Sequence, residues 1–152
     1  MFNKDSDQAK MGRAGENIVQ NYLSGKGHTI KISIDQYDSE KDMLVNGKKV
    51  EVKTQVPFIM KDAFSIKENQ LKKCLSADMV YFVSVPSKVR KHHSDGKVYI
   101  IESGKMEYHL HKTQDGRKMI LIPIKQPDMI EAFSMLPLES EILQSYSVSK
   151  WN

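Results

Sequence analysis

Residues 41–55 read KDMLVNGKKVEVKTQ. Two short runs, DMLV (42–45) and KKVEVKT (48–54), flank Asn46-Gly47, the strongest short-range signal for a two-residue β-hairpin turn. With that turn, Val45 pairs with Lys48, Leu44 with Lys49, Met43 with Val50, and Asp42 with Glu51. Side chains alternate along a strand. Met43, Val45, Val50 and Val52 are therefore expected on one apolar face, and Asp42, Glu51 and Lys53 on the other. Directly opposed residues have Cβ atoms about 4.5–5.5 Å apart. Two carboxylates at that distance repel, unless a cation sits between them.

Outward from the hairpin, residues 28–34 (HTIKISI) read as a strand. Upstream, residues 8–24 carry Ala14, Ile18, Val19, Tyr22 and Leu23 at helical spacing, with Gly25 expected as the C-terminal cap. Gly12 and Gly15 weaken that helix and also permit close approach of a ligand. Downstream, Ser65 and Glu68 form a capping-box pattern that predicts a helix through Leu71, Cys74 and Leu75. MVYFVSV (79–85), ended by Pro86, reads as a central strand buried on both faces. A polar, basic loop is expected over 87–97. VYIIES, KMEYHLHKT and RKMILIPI then predict a β-meander, with turns at Ser103-Gly104 and Asp115-Gly116. Residues 126–136 are expected to be helical, and a short helix is expected after Pro137. The expected fold class is α/β, with a mixed central sheet and helices on its faces.

The bulk numbers narrow the setting. The chain has 152 residues, enough for one domain with its own core. Its single cysteine, Cys74, excludes an intramolecular disulfide and a multi-cysteine zinc site. No apolar run approaches the roughly 20 residues of a membrane span. The start MFNKDSDQAK lacks a signal peptide's apolar stretch, so a cytoplasmic setting is expected, in a bacterial or phage-infected cell. A net charge of +4 leans towards a polyanionic partner.

The polar face of the hairpin carries the chemistry. A divalent ion would convert the repulsion between Asp42 and Glu51 into coordination, and Mg2+ favours carboxylate oxygens while keeping several waters. A lysine on the same face can orient an attacking water and stabilise charge growing on a phosphate. Metal, activated water and cation are the parts that phosphodiester hydrolysis needs.

Asp42, eight intervening residues, and then Glu51-Val52-Lys53 resemble the motif of the PD-(D/E)XK nuclease superfamily. NGKKVEVKTQ resembles that family's second and third strands. GRAGENIVQNYLSGKGH (12–28) resembles the first helix of small Holliday junction resolvase-like endonucleases. The resemblance covers about residues 10–85. Lys41 stands where the motif has proline. Gln70 opens a pattern resembling the RecB-like glutamine motif, with Cys74 where a tyrosine is expected there.

The resemblance implies a three-layer α/β/α restriction-endonuclease-like core and dependence on Mg2+ or Mn2+. It implies Asp42 and Glu51 as metal ligands, with the Val52 carbonyl as a further one. Glu16 matches a helix glutamate that joins the metal site, and Lys53 would position the nucleophilic water. Gln55 continues the face of Glu51 and Lys53, in a neighbourhood that touches DNA in this family.

Other residues carry weaker signals. Lys10, Gly12 and Arg13 precede Glu16 within reach of a phosphate. Lys88, Arg90 and Lys91 are expected to grip backbone phosphates. Glu40 should lie opposite Lys53, and Asp38 is a weaker substitute for Asp42. His92, His93 and Asp95 lack the i, i+4 spacing of a helical metal site, so they are read as part of a basic, flexible loop. The expected activity is a metal-dependent DNA endonuclease, with branched or junction DNA as the finer substrate expectation. A homodimer would follow for a resolvase. The alternative is a nuclease-like fold that binds DNA or a protein without cutting.

Overall fold

The computed structural model describes residues 6–34 and 41–147, and of Ser33, Ile34, Lys41 and Asp42 only the backbone. Helix α1 (Asp7–Gly25) begins at Ser6, whose hydroxyl accepts a hydrogen bond from the Ala9 amide at 3.1 Å. Its exit differs from expectation. Gly27, at φ +88, takes the left-handed position after the helix, while Gly25 is its last residue.

Strands β1 (Ile30–Ile34), β2 (Lys41–Val45) and β3 (Lys48–Gln55) follow. The β2–β3 hairpin has the expected register, Val45 with Lys48, Leu44 with Lys49 and Met43 with Val50. Asn46 and Gly47 both have positive φ, 50° and 83°, as a two-residue I′ turn requires. The Asn46 side-chain oxygen also accepts from the Thr29 amide at 2.9 Å, tying the turn to the start of β1.

Strand β4 (Ala63–Ile66) and helix α2 (Glu68–Ser76) lead to β5 (Met79–Ser84), which runs parallel to β3. Strands β6 (Lys97–Glu102) and β9 (Ile130–Ser134) complete a mixed sheet of order β1-β2-β3-β5-β6-β9. Strands β7 (His109–Lys112) and β8 (Lys118–Pro123) pair with β4 in a second, three-stranded sheet of order β4-β8-β7. Helix α3 (Pro137–Ser145) closes the described chain. The Glu139 carboxylate accepts from the Leu136 amide at its first turn.

Three local expectations are corrected. Ser65 does not cap a helix. It lies in β4, its amide is held by the Gln55 side chain at 2.7 Å, and Lys67 stands at the start of α2. The C-terminal β-meander is also not formed. β6 joins the large sheet beside β5, while β7 and β8 form a hairpin in the second sheet. Finally, part of 126–136 is strand β9, because residues 130–134 pair with the outer side of β6. Each error has the same physical origin, since a distant strand supplies backbone partners that local sequence cannot reveal.

The alternation of β5 explains its continuous apolar run. Tyr81, Val83 and Val85 pack with Met43, Val50 and Val52 beneath α1, where Val19, Leu23 and Leu143 of α3 join them. Val80 and Phe82 point the other way, into a cluster with Phe64, Cys74, Ile101, Leu121's neighbour Ile122 and Met106. α1 and α3 thus lie on one face of the large sheet, and α2 with the small sheet lies on the other. The mixed α/β class and central sheet agree with the sequence reading. The second sheet on the α2 face is an addition to the expected helix layer.

Gly15 sets the α1–β3 spacing. A Cβ at this position would lie 1.8 Å from Thr54 Oγ1 and under 3 Å from its Cβ and Cγ2. The close approach permitted by this glycine is therefore to β3. Gly12 meets nothing within 4 Å.

Candidate functional site

β3 presents Glu51, Lys53 and Gln55 to the α2 side. In the parallel β3–β5 register Glu51 pairs with Val80, Lys53 with Phe82 and Gln55 with Ser84, and Val80 and Phe82 belong to the core beneath α2. Two charged residues thus stand beside a fully buried pair. Their charges are balanced locally: Lys53 Nζ lies 3.7 Å from Glu51 Oε1, and Lys73 Nζ of α2 lies 3.9 Å from Glu51 Oε2. Lys53 also donates to Gln70 Oε1 at 2.8 Å. The Glu51 side chain is only 11% exposed and the Lys53 side chain 18%, so their attraction is screened less than that of a surface pair.

Asp42 lies in β2, where its backbone pairs with Ser33. The β2–β3 pairing runs from Val45 with Lys48 to Met43 with Val50, one residue short of Asp42 and Glu51. The Asp42 side chain lies outside the described residues, as do Asp38 and Glu40 entirely.

Glu16 does share a site with Glu51. A cleft of about 290 Å³ is lined by Arg13, Glu16, Asn17 and Gln20 of α1, Ile32 and Met43 of β1 and β2, and Val50, Glu51 and Val52 of β3. Residues of two distant segments, Glu16 of α1 and Glu51 of β3, thus line one space, while the Glu51 carboxylate itself is held by Lys53 and Lys73.

The expected DNA contacts fall into two groups. Lys10 and Arg13 are exposed on α1, and Lys91 is exposed in the β5–β6 loop. Other side chains are engaged in the fold. Gln55 clamps β4, with Nε2 donating to the Ser65 carbonyl at 2.6 Å and Oε1 accepting from the Ser65 amide at 2.7 Å. It acts as a brace between the sheets. Lys88 Nζ donates to the Ser147 carbonyl at 3.3 Å, and an Arg90 guanidinium nitrogen lies 2.9 Å from Met60 Sδ.

Neither a protein-family model, a curated protein nor a solved structure matches this chain. Among the described residues, no helix is long and apolar enough to cross a membrane.

Sequence reasoning gave little place to Gln70 and none to Lys73. Their signal was weak but present. Residues three apart on a helix share a face, and the pattern around Gln70 already resembled a nuclease helix. Behind them, Cys74 is fully buried. Burial pushes its thiol up to about 11, and the Glu51 charge adds to that while Lys53 and Lys73 oppose it. At pH 8 only about a thousandth of such a thiol is thiolate, and the thiolate is the reactive form. Alkylation in the native protein should be at least about 100-fold slower than in urea, rising with pH up to about pH 11. A native rate equal to the unfolded one would contradict the packing of α2.

Proposed function

We propose that the chain is a metal-dependent phosphodiesterase acting on DNA, with its centre at Glu51. The observation that carries this reading is the convergence at Glu51 of Lys53 and Lys73 on one side and the Glu16-lined cleft on the other. A hard divalent ion fits a set of carboxylate oxygens. In this reading Glu51 and Asp42 hold Mg2+ or Mn2+, with the Val52 carbonyl and Glu16 supporting the site.

The ion would supply Lewis acidity and an activated water. Lys53, held by Gln70, orients the water and meets charge developing on the scissile phosphate. Lys73 helps to balance Glu51 while the ion is absent. Lys10 and Arg13 lie along the approach of the DNA backbone, where cations lower the cost of bringing a polyanion close. A branched substrate and a homodimer are finer parts of the same proposal.

Incubation of duplex, four-way-junction DNA and single-stranded RNA with Mg2+ or Mn2+ tests it. Cleavage of DNA, strongest at the junction, is the expected result. Cleavage of RNA alone would replace DNA by RNA as substrate. Binding of DNA with no cleavage in either metal would favour a module that holds DNA without cutting.

A further inference from the structure

A second cluster of ligand-bearing side chains lies away from Glu51. Asp62 ends the 3-10 turn Ile59–Lys61 that precedes β4, and His92 and His93 lie in the loop between β5 and β6. Both histidines turn the same ring nitrogen to the same oxygen. His92 Nε2 is 2.9 Å and His93 Nε2 is 2.5 Å from Asp62 Oδ1. The rings lie 4.1 Å apart, tilted by 37°. The second Asp62 oxygen faces Lys125 Nζ at 3.7 Å.

We propose that Asp62, His92 and His93 form a binding site for a divalent transition ion of the Zn2+ class. Two imidazole nitrogens and one carboxylate oxygen are a donor set that zinc takes in tetrahedral sites. With bonds of about 2.0–2.1 Å, tetrahedral ligand atoms lie roughly 3.3 Å apart. The two nitrogens need to move from Asp62 Oδ1 by less than an ångström to reach that spacing. Mg2+ fits poorly, because it prefers six oxygen donors.

Two further features argue for a built site. Asp62 holds a left-handed backbone conformation, φ 50 and ψ 49, which aspartate adopts more readily than most non-glycine residues and which sets its carboxylate at the end of the 3-10 turn. His92 is supported from behind: its Nδ1 is 2.6 Å from Ser94 Oγ, which is 2.7 Å from Ser84 Oγ, and both serines are fully buried. The Ser94 amide also donates to His92 Nδ1 at 3.2 Å, and together these contacts hold the ring with Nε2 turned towards Asp62. The His92 amide donates to Asp95 Oδ2 at 3.0 Å, which holds the loop's shape. The His92 side chain is 7% exposed and that of His93 41%. The fourth vertex therefore opens to solvent on the His93 side.

The site joins the turn before β4, in the small sheet, to the β5–β6 loop of the large one. A bound ion would staple the two sheets together. This inference does not depend on the nuclease reading, and the test separates them.

The full chain carrying Glu51→Ala, stripped with EDTA, is titrated with zinc alone by calorimetry, and its melting temperature is followed. The expected result is one zinc per chain, a rise in melting temperature and no displacement by excess magnesium. Adding His93→Ala, at a half-exposed position, should weaken binding at least about tenfold. Asp62→Asn, which keeps a residue tolerant of the left-handed conformation, should do the same. No zinc binding, or zinc affinity in the His93→Ala and Asp62→Asn proteins equal to that of their parent, overturns the proposal.

Discussion

Glu51→Ala should lower DNA cleavage by at least about 10³-fold, and metal affinity should fall with it. A catalytic divalent ion supplies several kcal/mol of transition-state stabilisation. At 1.36 kcal/mol per factor of ten, losing about 4 kcal/mol gives that factor. Removing this carboxylate also leaves Lys53 and Lys73 without their shared partner in a partly buried place, so the site would reject a cation more strongly than simple ligand loss implies. Lys53→Ala should differ in kind. Metal binding should persist, while kcat falls about 10²–10³-fold, the size of effect expected when one charge-stabilising donor is lost. Gln70→Ala, acting only through the 2.8 Å bond to Lys53, should cost less, roughly tenfold in kcat. Steady-state kinetics on plasmid with parallel Mn2+ titrations would measure all three. Equal loss of metal affinity in the Glu51 and Lys53 variants would contradict the division of roles.

Gly15→Ala should destabilise the fold by up to about 2 kcal/mol, while Gly12→Ala stabilises it by up to about 1 kcal/mol. Both changes gain helix propensity of about 1 kcal/mol. At Gly15 the new methyl would sit 1.8 Å from Thr54 Oγ1, and Thr54 Cβ and Cγ2 are also under 3 Å away. No Thr54 rotamer relieves all three contacts, so α1 must move off β3. Overpacking of this kind costs about 1–3 kcal/mol and occasionally more, which outweighs the propensity gain. At Gly12 nothing lies within 4 Å, so only the propensity gain remains. Urea unfolding of the two variants would decide it. A stabilised Gly15→Ala protein would mean that α1 and β3 are not in close contact. Because Glu16 follows Gly15 on α1 and Glu51 lies on β3, this spacing also sets the width of the cleft.

The parts of the fold that were legible are those governed by local chemistry. Asn46-Gly47 specifies its turn through two positive φ angles, and the register of Met43, Leu44 and Val45 follows from it. The unbroken apolar run of β5 announces two buried faces, and Pro137 announces the start of α3. Misread segments depend on distant partners. Ser65 looks like a helix cap until Gln55, ten residues away, holds its amide and carbonyl. Residues 130–134 look helical until the outer side of β6 offers them a ladder.

The site divides in the same way. Glu51 and Lys53 share a face because strand side chains alternate, and no tertiary knowledge is needed for that. Lys73 approaches Glu51 only because α2 crosses that face, and Asp62 meets His92 and His93 across some thirty residues of chain. The basic loop read as flexible from its composition is instead tied down by Ser94, Asp95 and Asp62.

The most direct test of the central claim is nicking of supercoiled plasmid by the wild-type chain and by Glu51→Ala, side by side, with Mg2+ and with EDTA. The account predicts nicking by wild type in Mg2+ alone, abolished by EDTA and by the substitution. Equal nicking by the two proteins, or none by wild type in either Mg2+ or Mn2+, would contradict it.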